Sequence, residues 1–298
     1  MIASPARGGP ETKGAKMRSK LILLAMAAGL ALTPITAHAV WGGELDGDRH
    51  PAVGLVYFDG DGDGVVSVFD GVCSLGYLGP SIDGSHDVVL TAGHCLPPPE
   101  ENIPTELVFV SFDNNEDDEF PDTPIQVSGW EQMPGWGHNR GDLRDLGVFL
   151  LPSGSVSAAF PAAAESPVRL PAAGILDRLK ADGELKFLTV DAVGYGVTPI
   201  WHEPGGVQFE FDPRRRTGQL TVTGLTRAYV LYNQNPNGIG TGAGVCYGDS
   251  GSPNLFAGTD VIISVTSGGS RNCNANNYNT RVDTEDAREF LGRFVSFD

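Results

Sequence analysis

The sequence is short of positive charge. Its 20 Lys and Arg face 37 Asp and Glu, a formal charge of −17. So acidic a chain repels phosphate backbones and anionic lipid surfaces, which argues against nucleic acid or a membrane surface as partner. Long apolar runs are missing too. The run from Leu21 to Leu32 has twelve residues, whereas a bilayer crossing needs about 20, so no membrane anchor is expected. There are only four cysteines and no C-x-x-C pair, a poor fit to a zinc site. Charged residues make up 19% and glycines number 40, a balance that suits a turn-rich β protein better than a helical bundle or a disordered chain. The 298 residues suffice for one large domain or two small ones, each with its own core.

What is present begins with a processing segment. Two positive charges in "MRSK" (Met17 to Lys20) precede the twelve-residue apolar run, and the small-x-small triplet Ala37-His38-Ala39 follows it. This is the order of a secretory signal peptide, and residues 1–39 are read as one, with Met17 an alternative start. Removing them takes away five basic residues and one acid, leaving 15 basic and 36 acidic and a formal charge of −21. All four cysteines, Cys73, Cys95, Cys246 and Cys273, lie beyond the cut. An even count in an exported chain reads as two disulfides, for which four cysteines allow three pairings. The expected location is extracellular.

The stretch "DGDGDGVVSVFD", Asp59 to Asp70, has the acid and glycine spacing of an EF-hand calcium loop, with Asp70 where a Glu is usual. Its flanks, "HPAVGLVYF" and "GVCSLGYLG", alternate and are rich in β-branched and aromatic residues, so both read as strands. An EF-hand needs helices there. The loop is expected at the tip of a hairpin, with Asp59, Asp61 and Asp63 as candidate calcium ligands.

Three motifs follow in one order. "VVLTAGHCLP" (Val88 to Pro97) carries His94, "RDLGVFLLP" carries Asp145 at the start of an apolar strand, and "GVCYGDSGSP" (Gly244 to Pro253) holds Ser250 in a glycine-rich turn. A serine hydroxyl is a weak nucleophile and needs a base in hydrogen-bond reach. Histidine side chains titrate near pH 6.5, so an imidazole can take and return that proton. It needs a carboxylate on its other nitrogen, and Asp145 is preferred over Asp142, which lacks an apolar run directly after it. On the "TAGHC" and "GDSG-P" signatures together the chain resembles the trypsin/chymotrypsin-like serine proteases, over nearly all of its length from Val40 on.

The resemblance implies an all-β fold of two six-stranded antiparallel Greek-key barrels with a short C-terminal helix. The N-terminal barrel would span 40–152, a linker 153–171, and the C-terminal barrel 172–298. It implies a secreted serine endopeptidase with catalytic His94, Asp145 and Ser250 and an oxyanion hole from the N–H groups of Gly248 and Ser250. Disulfides Cys73–Cys95 and Cys246–Cys273 are implied as well. So is an activating pair between the α-amino group of Val40, freed by the signal cut itself, and Asp249. Relatives hold structural calcium where "DNNEDDEF" falls, which adds Asp113, Glu116 and Asp118 as candidate ligands; no cofactor is required.

The implied specificity pocket has Gly244 at its floor and Ser267, Gly268 and Gly269 along its wall. With no acid at Gly244, Arg/Lys preference is not expected. Gly268 stands where relatives carry an aromatic residue, so the pocket is expected to be open and neutral. Ser252 departs from the usual second glycine of the nucleophile motif. The expected partner is a protein or peptide substrate, met by a monomer. The competing reading is a catalytically inactive secreted homologue serving as a binding or calcium-binding module; an esterase would share the same chemistry. "DTEDAREFLGRFV" (Asp283 to Val295) is expected as the terminal helix, capped by Asp283 or Thr284, with Ala287, Phe290, Leu291 and Phe294 on its apolar face.

Overall fold

The computed structural model describes residues 40–60, 71–98, 103–115, 124–137, 144–201, 206–212, 214–235, 237 and 242–297. The predicted signal segment, Asp61, Asp63, Asp70, Glu116, Asp118 and Asp142 lie outside the described residues.

A short strand, β1 (Glu44–Leu45), comes first. Seven strands then build one antiparallel sheet: β2 (Val53–Phe58), β3 (Gly71–Pro80), β4 (His86–Thr91), β5 (Val108–Ser111), β6 (Ile125–Gln126), β7 (Gly129–Gln132) and β8 (Gly147–Pro152). Their order is β6-β5-β2-β3-β4-β8-β7. Strands β2 and β3 pair from Val53↔Gly76 to Phe58↔Gly71, so the acidic stretch joins two hairpin strands and the helices of an EF-hand are absent.

The second sheet comprises β9 (Thr189–Gly194), β12 (Arg216–Leu225), β13 (Tyr229–Asn233), β14 (Pro253–Phe256), β15 (Ile262–Gly269) and β16 (Asn276–Arg281). It closes on itself because β9 pairs with both β14 and β12. A separate hairpin, β10 (Thr198–Ile200) with β11 (Gln208–Glu210), stands beside it. The architecture is thus a closed six-stranded barrel and a curled seven-stranded sheet. Strand β1, although first in the chain, pairs with β12 of the second sheet.

Helices are few. Two short ones, α1 (Ser155–Ala159) and α2 (Pro161–Glu165), occupy the Ala/Pro-rich stretch between the sheets, and α3 (Ile175–Ala181) follows. Helix α4 (Glu285–Leu291) is shorter than the sequence suggests and ends at Gly292. The Thr284 hydroxyl caps it by accepting from Ala287 N at 3.3 Å, while Asp283 is drawn off to bind Arg281 and the backbone N–H of Leu176. Ala287, Phe290, Leu291 and Phe294 are buried in the same core as Val89, Leu90 and Val148, so the chain end folds back on the first sheet. Each fully buried Val, Leu or Phe stabilises the fold by about 1.5–3 kcal/mol.

The two sheets are tied by a buried polar knot. Arg215, 1% exposed, donates to Asp46, to the carbonyls of Val53, Phe112 and Gly47, and to the Tyr195 hydroxyl. Tyr195 in turn donates to Asp113 O at 2.6 Å. Burial alone would push Asp46 up, but hydrogen bonds and charge from His50 and Arg215 outweigh it and hold the carboxyl below its ordinary value.

Candidate functional site

Register explains why His94 and Asp145 meet. Strands β4 and β8 pair with Thr91 opposite Gly147, so the residues just past one strand and just before the other emerge at the same end. Gly93–Cys95 makes a single tight turn. A Cβ at Gly93 would lie 3.1 Å from Leu146 O, so the turn presses on the Asp145 segment. The Asp145 carboxylate accepts twice from one residue: from His94 N at 2.8 Å and, at Nδ1, at 2.9 Å. The Asp145 side chain is 4% exposed and that of His94 32%. A buried carboxylate against Nδ1 selects the tautomer with hydrogen there, leaving Nε2 as the acceptor. Cys95 is bonded to Cys73 of β3 and Cys246 to Cys273, the pairings that the resemblance implies.

The Ser250 turn is anchored on the same region. Ser74 N donates to Ser250 O at 2.7 Å, and Ser74 Oγ donates to Gly248 O at 2.9 Å. Gly248 has φ +93° and Gly251 φ +83°, conformations that favour glycine. A Cβ on Gly251 would sit 2.0 Å from Thr91 Oγ1 and 3.1 Å from Ala92 N. The turn therefore packs on the two residues that lead into the His94 turn.

Behind it, Asp249 is fully buried and accepts from Gly196 N at 2.9 Å, from Cys246 N at 2.8 Å and from the backbone nitrogen of Val40. Burial pushes its carboxyl up to about 7 against those hydrogen bonds. Gly194 and Gly196 make room: a Cβ on either would fall within 2.4 Å of an Asp249 oxygen. Sequence reading missed this cradle, although two glycines flanking Tyr195 at a strand end are a sign of close backbone approach. It also missed Ser74, whose small side chain looks unexceptional in "VCSLG".

Gly244 and Gly268, two of the residues expected to line a specificity pocket, each face an aromatic side chain. Gly244 N donates to Trp41 O, and a Cβ at Gly244 would collide with the Trp41 indole at 2.2 Å, so this position has no room for an acid. At the wall, β15 and β16 pair Gly268 with Tyr278. A Cβ on Gly268 would lie 2.4 Å from the Tyr278 hydroxyl. Tyr278 fills the space beside Gly268, and its ring also packs edge-on against Tyr229. Ser267 Oγ bonds Thr280 Oγ1 at 2.7 Å, and Gly269 lies against Asn277.

Of the candidate calcium ligands, Asp59 and Asp113 fall among the described residues. Asp113 Oδ1 accepts from Asn115 N within its own loop. Cys73, His94 and Cys95 cluster within 4.8 Å, but the two sulfurs are joined to each other and are not metal thiolates. A cavity of about 1060 Å³ includes His50, Arg49, Glu44 and Asp260 in its lining and none of the residues that the three motifs single out. Of its charged groups, His50 pairs with Asp46, Arg49 with Glu44 and Asp260 with Arg169, while Asp191 accepts from Gln219 Nε2 and from the backbone N–H of Gly258.

No family model matches the sequence, and no curated protein does. Solved structures do. The fold is that of the chymotrypsin-like serine proteases. HL collagenase aligns with 88% of this chain and 99% of its own at a TM-score of 0.55 and 12% identity. Human heparin binding protein covers 84% and 94% at 0.54 and 16%. Neuropsin, a serine protease expressed in the limbic system of mouse brain, covers 79% and 91% at 0.53 and 18%. At such identities the likeness is one of fold.

Proposed function

We propose that the chain is a secreted serine endopeptidase working through an acyl-enzyme. The observation that carries this is the double acceptance by Asp145 of His94 N and Nδ1, in a protein whose Ser250 turn packs on the strand end leading to His94. Ser250 Oγ attacks the scissile carbonyl carbon while His94 Nε2 takes its proton. The oxyanion is received by the N–H groups of Gly248 and Ser250. The tetrahedral species collapses, the C–N bond breaks, and the imidazolium returns the proton to the leaving amine. Water, deprotonated by the same His94, then cleaves the acyl-serine ester. Asp145 keeps the tautomer and stabilises the imidazolium.

Cutting after Ala39 makes Val40 N an ammonium at Asp249, an opposite charge for a carboxylate that burial alone would neutralise. The signal cut thereby doubles as activation, and sequencing the secreted form should find Val40 first. Trp41 beneath Gly244 and Tyr278 across Gly268 leave a neutral, shortened pocket, which suits small apolar side chains rather than Arg or Lys.

The alternative is an inactive binding module. Ser252, in place of a glycine beside the nucleophile, is the feature that favours it, and a heparin binding protein shares the fold. A chain of net −17 is nonetheless a poor acceptor of a polyanion. A fluorophosphonate probe decides between them, with Ser250→Ala as control. Labelling of the processed chain that vanishes in the control supports the protease; no labelling from a chain starting at Val40 supports the binding module.

A further inference from the structure

The interior of the second barrel is unusually polar. Ser252, Asn254, Ser264 and Asn279 are fully buried, and Gln234, Asn277 and Thr266 are at most 3% exposed. All of them except Ser264, whose hydroxyl bonds Tyr232 at 2.8 Å, form a continuous path. Ser252 Oγ bonds Thr266 Oγ1 at 2.9 Å, and Thr266 Oγ1 accepts from Asn254 Nδ2 at 3.2 Å. Asn254 Nδ2 also reaches Asn279 Oδ1 at 3.4 Å. Asn279 Nδ2 donates to Asn277 Oδ1 at 2.9 Å, and Asn277 Nδ2 donates to Gln234 Oε1 at 2.8 Å. Gln234 Oε1 finally accepts from the backbone of Val245 at 3.0 Å.

Both ends of this path are in one loop. Val245 follows the glycine over Trp41, and Ser252 lies two residues past Ser250. Between them are the two left-handed glycines and Asp249. The Asp249 carboxylate holds the middle of the loop from outside the barrel path, through Gly196 and Val40.

We infer that this hydrogen-bonded path through the barrel interior ties the two ends of the 245–252 loop together, making Ser252 and Gln234 positioning residues for the Ser250 turn. Buried amides and hydroxyls stabilise less than apolar side chains of the same shape unless they fix a geometry. Here the fixed geometry is the mouth of a loop with two left-handed glycines, which its own backbone preferences do not define. The hydroxyl of Ser252, a departure from the glycine of relatives, is then the anchor at one end. The tie itself is independent of catalysis; its consequence for Ser250 rests on the protease reading.

The test uses the processed full chain and two readouts. The first is amide hydrogen exchange at Val245 in Ser252→Ala, a variant that loses one oxygen at the far end of the path. Val245 exchange is expected to rise about tenfold, one hydrogen bond's worth, while Val89 in the first sheet is unchanged. The second is the rate of fluorophosphonate labelling in Ser252→Ala, Gln234→Leu and the double variant. Each single change is expected to slow labelling several-fold, and the double no more than the slower single, because both cut the same path. Unchanged Val245 exchange in Ser252→Ala overturns the tie whatever the activity. Single effects that multiply, or a Gln234→Leu that labels at the parent rate, overturn the positioning role. A parent that never labels, with Val245 exchange raised in Ser252→Ala, sinks the protease reading and leaves the tie standing.

Discussion

The backbone nitrogen of Val40 donates to the carboxylate of Asp249, the residue directly before Ser250. While residue 39 is attached, that donor is a neutral amide and burial holds the carboxyl at about 7. A folded-state value above the ordinary 3.8 means that the folded chain keeps a proton the unfolded chain releases. The stability so gained is complete below about pH 4 and is lost as pH rises to about 7. In the uncut chain, replacing Asp249 with Asn should therefore flatten the fall in melting temperature between pH 5 and pH 8. In the chain cut at Val40, the ammonium supplies the missing charge, and Asp249→Asn should cost both stability and labelling at pH 8. Thermal melts of the four species check this, and identical pH slopes with and without the Asp would refute it.

Asp145 makes a second prediction. Asp145→Asn keeps the size of the side chain but presents an N–H to a nitrogen that carries one. The imidazole must turn its tautomer, and Nε2 then bears the hydrogen. Peptidase kcat is expected to drop about 10⁴-fold with little change in fold, and circular dichroism beside a single-turnover assay separates the two.

The buried knot should govern acid stability. Asp46 is held below its ordinary value by His50 and Arg215 despite burial. A lowered folded value gives stability that is present above about pH 4 and is lost as pH falls below that, through the folded value. Removing the guanidinium by Arg215→Ala leaves Asp46 buried beside a half-buried His50 and should cost about 3–5 kcal/mol at neutral pH. It should also move the acid unfolding midpoint upward. A urea melt at pH 7 and an acid titration of the fold from pH 7 down to about pH 2 give the two numbers.

Much of this arrangement is legible from the sequence because local signals agree. The apolar run after Asp145 marks a strand, "TAGHC" marks a turn closed by a cysteine, and alternation around the acidic stretch gives β2 and β3. A cap at Asp283 or Thr284 and the i, i+3, i+4, i+7 spacing of Ala287, Phe290, Leu291 and Phe294 mark α4, and the structure selects Thr284 as the cap. What escapes is decided by pairing between distant segments. Nothing near Gly268 in the chain says that Tyr278 lies opposite it; that depends on the register of β15 with β16. Trp41 under Gly244 depends on an isolated bridge across some 200 residues. Helices α1 and α2 are too short for a periodic signal and sit in a stretch whose Ala, Pro and Ser read as linker.

That register yields the last prediction. If Tyr278 fills the wall, shortening it should enlarge the space over Gly268 without touching His94, Asp145 or Ser250. Tyr278→Ala is expected to raise kcat/KM for substrates with an aromatic side chain before the scissile bond relative to those with alanine, by about tenfold or more, since each added methylene buried in an apolar pocket is worth about 1–3 kcal/mol. Loss of the edge-on contact with Tyr229 should cost about 1 kcal/mol of stability. Gly268→Ala works the other way: the new Cβ must displace the Tyr278 hydroxyl, so melting temperature should fall, and Gly268→Ala combined with Tyr278→Ala should recover it. Profiling a peptide library with the parent and Tyr278→Ala reads the preference directly. An unchanged profile would mean that substrate side chains are received elsewhere and that Tyr278 is only a packing residue of the barrel.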